Sequence, residues 1–246
     1  MTGESARNPI QATQNSFRIL ERLRDADDGL SLSALDSRLE LSKGAIYNHL
    51  ATLQELGVVL KRNETYHLSL RTYRLAESAR RSLPGTDISR KRLRELADST
   101  GEFGALVAEE EGKPVVVDTA TGELVEASWA APGDELPLFS TAAGKIILSQ
   151  KSEARIRELC EQADNEIDTQ ALVDEVKTVE LQGLAFSRGE FHDDQYSVAA
   201  PVSRADGELI YAVTLIGPKS RLSGKSLQQD VAGLVINAVN EIERKL

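Results

Sequence analysis

Apolar positions at helical spacing, then at strand spacing, divide the first third of the chain. From Gln14, the residues Phe17, Leu20 and Leu23 recur along one face, while Arg18, Glu21, Arg22 and Arg24 point elsewhere. This predicts a helix that stops near Asp27-Asp28-Gly29. Ser31 can cap a second helix to about Leu39, with Leu32 and Leu35 on its inner face. After a short break at Glu40-Leu41, Ser42 caps a third helix. In it, Ile46, Leu50, Leu53 and Leu56 form the expected buried stripe, and Gly57 ends it. Val58-Val59-Leu60 and Tyr66-His67-Leu68 then flank the polar run Lys61-Arg62-Asn63-Glu64-Thr65, which predicts a β-hairpin. Helices in this order followed by a basic hairpin read as a winged helix-turn-helix.

Beyond the hairpin, residues 69–82 are arginine-rich and helix-compatible, with Leu75 and Ala79 as an apolar pair, until Pro84-Gly85 interrupts them. The predicted organisation is a flexible tail over 1–13, the winged helix-turn-helix over 14–68, a linker helix over 69–85 and a second domain over 86–246. In the second domain, helices are expected at Ile88 to Ser99, Ser140 to Leu148, about 152–161 and about 169–182. A terminal helix is expected from about Gly224 to Arg244, with Leu227, Val231, Leu234, Val235, Ala238 and Ile242 on its apolar side. Strands are expected at Phe103 to Ala108 and Pro114 to Asp118, joined by a Glu-Glu-Gly-Lys turn. A second pair, Tyr196 to Ser203 and Leu209 to Ile216, flanks the hairpin signal Asp206-Gly207. Hairpins with helices between them indicate an α+β fold with an antiparallel sheet.

Charge refines this division. The net charge of −10 is wrong for a nucleic-acid binder until it is split: residues 1–82 carry 12 basic and 10 acidic side chains, and the remainder carries 17 basic and 29 acidic. The acid lies away from the helix-turn-helix. Arg outnumbers Lys by 19 to 10, and with an acidic surface this suits a salt-loving organism, an ordinary acidic mesophilic protein being the alternative. One cysteine, Cys160, excludes an internal disulfide, and no apolar run of about 18 residues is present, so a soluble cytoplasmic protein is expected.

On the third helix, Asn48 can pair bidentately with adenine, Lys43 can donate to guanine or phosphate, and Tyr47 offers a ring to a thymine methyl. Gly44 and Ala45 complete the turn expected to approach double-stranded DNA. In the hairpin, Lys61, Arg62 and Asn63 are candidate phosphate or minor-groove contacts. The plain alternatives are a solvated helix face and a solvated turn. His49, close to the apolar stripe, fits a packing or hydrogen-bonding role better than base contact.

The stretches Leu30-Ser31-Leu32-Ser33-Ala34-Leu35 and Leu41 to Leu53 resemble the DNA-binding domain of the IclR family of transcriptional regulators. Pro137-Leu138-Phe139-Ser140-Thr141-Ala142-Ala143-Gly144-Lys145, Val198-Ala199-Ala200-Pro201-Val202 and Ile216-Gly217-Pro218 resemble that family's effector-binding signatures in the same order. The resemblance covers nearly the whole chain after residue 13. It implies a homodimer or dimer of dimers that reads a palindromic operator, and a GAF-like C-terminal domain that binds a small molecule. The chain departs from the commoner pattern at Gly44-Ala45 and Asn48, at Ser197 and at Asp194-Gln195, so neither operator sequence nor ligand identity carries over.

For the effector, a helix beginning at Ser140 would present free backbone N–H groups suited to an anionic group, with Thr141 and Ala142 beside it; a cap with no ligand is the alternative. Ser197, Ala199 and Thr214 are candidate pocket walls. Trp129 is a candidate closing residue or, equally, a core or interface anchor. Enzymatic readings are weak. Gly144-Lys145-Ile146 lacks the Ser/Thr and the preceding glycine of a phosphate loop, and a Ser140 nucleophile with Lys145 as base lacks an oxyanion motif. Three sequential residues, His192-Asp193-Asp194, rarely converge on one metal ion. A regulator without catalysis, metal or cofactor is expected. An architectural DNA binder with a non-binding sensor domain is the alternative, and a small-molecule protein whose helix-turn-helix makes only protein contacts is the more distant one.

Overall fold

A computed structural model describes residues 8–163, 166–224 and 226–246, without the side chains of 226–228. The chain divides into two compact units, one through Ser82 and one from Leu83 onward. In the first, α1 (Gln11–Arg24), α2 (Leu32–Asp36) and α3 (Lys43–Glu55) pack around Ile19, Leu23, Leu35, Ile46, Leu50 and Leu53. A small antiparallel sheet, in the order β1 (Leu30–Ser31), β3 (Thr65–Leu68), β2 (Val59–Arg62), closes that core with Leu30, Val59 and Tyr66. The linker α4 (Leu70–Arg81) has no buried residue.

The structure differs from the sequence pattern here in definable ways. α1 starts at Gln11, so residues 11–13 of the expected tail are helical, while the tail's first seven residues lie outside the described residues. Its inner face carries Ile19, fully buried, and Phe17 is 64% exposed. Leu56 ends the predicted stripe of α3 but is 55% exposed, because it is the C-cap and the chain turns away at Gly57, where φ is +69°. α2 stops at Asp36 rather than Leu39, where Asp36 and Ser37 favour turn over helix.

The second unit is built on an antiparallel sheet ordered β5 (Lys113–Thr121), β4 (Phe103–Glu110), β8 (Leu209–Pro218), β7 (Gln195–Ser203), β6 (Ala185–Arg188). Strand alternation sorts its side chains into two layers. Leu106, Val198, Ala200, Tyr211, Val213 and Leu215 meet α5 (Thr86–Thr100) and α9 (Ala232–Glu243). Phe103, Ala105, Val107, Ala199 and Ala212 meet α6 (Ala142–Leu148), and α7 (Glu153–Glu161) and α8 (Thr169–Gln182) extend that side.

β6 was not expected, since its four residues are too short to show a period. The terminal helix is preceded by a wide π-type turn over Ser226–Val231, and Leu234, expected on its apolar side, is 40% exposed. The side chain of Leu227 lies outside the described residues. Among the described residues no helix is long and apolar enough to cross a membrane.

Candidate functional site

The first candidate site is the start of α3. Ser42 Oγ accepts from Ala45 N at 3.2 Å, which fixes where the helix begins. Lys43, Gly44, Tyr47 and Asn48 then share one exposed face, with Tyr47 56% exposed and Ala45 half-buried at its edge. From Lys43 through Gln54 this helix carries no carboxylate. A methyl group at Gly44 would meet nothing within 4 Å, so packing within the unit does not require the glycine. His49 is half-buried, and its Nδ1 lies 2.9 Å from Ser16 Oγ, tying α3 to α1.

The hairpin beside α3 turns on Asn63-Glu64. Asn63 takes φ +53°, a left-handed conformation that asparagine tolerates better than most residues. Arg62 and Asn63 are exposed. Lys61 is partly engaged: its ammonium lies 3.5 Å from Glu64 and 5.5 Å from the centre of the Tyr66 ring. Sequence reading missed Arg71, whose guanidinium donates to Leu56 O at 2.7 Å and so satisfies a carbonyl at the C-terminal end of α3.

The second candidate site is a cavity of about 40 Å³ between the start of α6 and the sheet. Of the effector residues predicted from sequence, Trp129, Thr141, Ala142, Ser197 and Thr214 line it; Ser140 and Ala199 do not. The helix begins one residue later than expected, with Thr141 as its cap. Thr141 Oγ1 accepts from Gly144 N at 3.1 Å and donates to Pro137 O at 2.7 Å. Ser140 instead offers its carbonyl to Ser187 Oγ at 2.7 Å. Ala199 lies in the core cluster that α6 packs against.

Eight further residues complete the wall without having been singled out for it: Ser187, Phe191, His192 and Gln195, with Ala130, Leu136, Ala143 and Ile216. Four of them belong to β6, the loop after it or the start of β7, a hairpin too short in its first strand to be read from a pattern. Lining side chains are apolar or neutral and polar, and His192 is the one titratable group among them. Thr214 is 2% exposed, and its Oγ1 has no hydrogen-bond partner among the described residues. A buried hydroxyl without a partner carries a desolvation cost, and at a cavity wall a bound molecule can remove it.

The Gly144-Lys145 pair has a packing explanation in place of a phosphate-binding one. A methyl group at Gly144 would lie 2.1 Å from Leu138 O, so glycine lets α6 approach that segment closely. Lys145 is fully buried and bonded to Glu175 and Glu190, which excludes it as a free base for Ser140. Among the described residues no three metal-ligating side chains converge.

Comparison with known proteins gives the family of both parts of the chain. The IclR helix-turn-helix domain matches residues 12–62, and the C-terminal region described as bacterial transcriptional regulator IclR matches residues 81–244. A Halobacterium salinarum protein described as "Probable HTH-type transcriptional regulator ArcR" is 29% identical over 248 residues that span 96% of this chain and 94% of that one. The crystal structure of Thermotoga maritima IclR superposes with a TM-score of 0.77 at 22% identity, over 95% of this chain and 98% of that one. An IclR homolog from Microbacterium hydrocarbonoxydans, solved as a complex with 4-hydroxybenzoate, gives 0.82 at 16% identity, over 96% and 98%. The chain belongs to the IclR family and is a DNA-binding transcriptional regulator with a C-terminal effector-binding region, not an enzyme.

Proposed function

We propose that the regulator reads a palindromic operator as a homodimer or dimer of dimers, and that a small molecule in the α6 cavity changes how it does so. Lys43, Gly44, Ala45, Tyr47 and Asn48 are the proposed major-groove contacts, and Lys61, Arg62 and Asn63 the proposed phosphate or minor-groove contacts. Twofold protein symmetry gives each half-site its own recognition helix. Apolar side chains left exposed on the first unit supply surface for a second copy: Phe17 on α1, and Leu70, Tyr73 and Leu75 on α4, are each at least 64% exposed.

The observation that carries the effector reading is the unpartnered Thr214 hydroxyl at the floor of a cavity with an apolar body and a few polar groups. The proposed ligand has an apolar part against Trp129 and Phe191 and an oxygen group that bonds Thr214, Ser197 or Gln195. A carboxylate fits through neutral donors, since no lysine or arginine lines the cavity. The ligand acts by binding one arrangement of the dimer more tightly than another, so its effect on DNA affinity equals the effect of DNA on its own affinity.

A panel of small organic acids headed by 4-hydroxybenzoate, read by thermal shift, tests the site. A ligand of the folded state raises the melting temperature, by an amount that grows with its concentration over Kd. Mobility shift with DNA upstream of the coding region then tests the response. A binder that leaves operator affinity unchanged overturns the allosteric reading, and absence of any shift with that DNA shows that its operator does not lie there.

A further inference from the structure

Lys145 is a buried charge that the effector site does not touch, yet it joins two of that site's walls. It lies one helical turn beyond Thr141 on α6, and its side chain is fully buried. An ammonium has three N–H donors, and each finds an acceptor here: Glu175 on α8 at 2.7 Å, Phe186 O on β6 at 3.0 Å, and Glu190 in the loop after β6. A buried cation is tolerated only with such complete pairing, so this geometry is strongly specified.

The loop that Glu190 begins is closed at its base. Gly189 N donates to Gln195 O at 2.9 Å, with Gly189 at φ +83°, and a methyl there would meet Asp193 O at 3.0 Å. Glu190 also accepts from Arg188 N at 3.2 Å, and Asp194 O accepts from Lys219 N at 2.7 Å at the far end. Between these two ties stand Phe191 and His192, which line the cavity with ring centres 4.1 Å apart, Phe191 being 43% exposed. Exposed rings give the loop little apolar contact to hold it; His192 O accepts from Gln195 N at 2.9 Å and closes its second half, and the Glu190 carboxylate is the side-chain tie at its start.

We infer that Lys145 is the positioning residue of the effector site: through Glu190 it holds the Gly189–Asp194 loop across the cavity that α6 bounds on the other side. The inference rests on the α6 cavity being the effector site. At about 40 Å³ the cavity holds only about three waters, so a larger ligand needs this loop to swing aside and then return. Lys145 supplies the return.

The test compares Glu190→Ala with Glu175→Ala in the full-length protein. Each removes one carboxylate from the same ammonium, each acts on a side chain about 40% exposed, and each leaves Lys145 one carboxylate partner, so both should fold. Only Glu190→Ala releases the loop. Trp129, the sole tryptophan, lines the same cavity and reports opening without any ligand. Acrylamide quenching of its fluorescence is expected to rise at least about twofold in Glu190→Ala and to stay at the wild-type level in Glu175→Ala, since local opening exposes only the segment released. With 4-hydroxybenzoate as probe, Glu190→Ala is expected to weaken binding about tenfold through faster dissociation. Equal quenching in the two variants, or none in either, overturns the inference and leaves Lys145 a structural clamp. If quenching differs as expected while the acid binds neither variant nor wild type, the loop tie stands and that acid is rejected as an effector.

Discussion

At the residue scale, Thr214 separates folding from binding. Its hydroxyl is buried without a partner among the described residues, so replacing it by a methyl group of the same shape removes a cost to the folded state. Thr214→Val is expected to stabilise the ligand-free protein by about 1 kcal/mol in denaturant unfolding and to weaken effector binding in calorimetry. Lower stability of the variant would mean that the hydroxyl has a partner when the protein is free. The sequence marked Thr214 because it follows alternation along a readable strand. It could not mark Ser187, whose place depends on β6 pairing with β7 through Ser187↔Ser197, or Gln195, which enters β7 opposite Pro218 of β8. Trp129 was open between closing the pocket and anchoring the core or an interface because it sits outside regular structure, and the fold places it at the cavity at 40% exposure.

Elements with long periodic faces were the most legible. α3, α5, α8 and the hairpin β7–β8 carry caps, glycine stops or turn residues that agree with their patterns, and their ends move by no more than about two residues. Errors fell where two apolar residues competed for one face, as with Phe17 against Ile19, which shares the buried side of α1 with Leu23, or where the apolar side of a helix was drawn too wide, as with Leu234. α4 is the opposite case, a helix held by charge rather than by a buried face. Glu77 accepts from Arg80 at 2.8 Å and from Arg81 at 2.8 Å, and these hydrogen bonds hold its carboxyl down at about 2, against an ordinary value of 4.5. Because the folded value is depressed, the contribution is fully present above about pH 4.5 and is lost as pH falls towards 2. Hydrogen exchange of the Glu77–Arg81 turn should therefore speed up as pH falls through this window, beyond the intrinsic change. Glu77→Gln should show no such excess.

Over the whole molecule, two units of opposite charge balance divide the work, and the division governs what salt and mutation do. The second unit's acidity keeps it from competing for phosphate, while the first unit's basic positions make operator affinity fall with added salt. The exposed side chains of α4 decide assembly in the proposed dimer. Leu70→Glu with Tyr73→Glu, at positions with no buried packing to lose, should leave the monomer folded by circular dichroism. Sedimentation should then show a smaller species, and operator affinity should fall by at least about tenfold, since a single half-site contact forfeits the gain from linkage. An unchanged oligomer would move the interface elsewhere. Composition had set the charge division in view before any fold was known. The assembly face stayed hidden, because an apolar residue in a sequence does not say whether its own chain covers it.

Strand β8 has a consequence of its own. Thr214 on one face bounds the cavity, and three residues earlier Tyr211 on the other face donates to Pro84 O at 2.8 Å and lies 3.0 Å from Thr86 Oγ1, where the chain has just entered the second unit. Three residues of strand span about 10 Å. The proposed effector cavity and the chain's entry into the second unit are thus neighbours along one strand, paired on both edges by β4 and β7. If the proposed ligand tilts this strand, the entry segment bonded to Tyr211 is the first part of the chain to feel it.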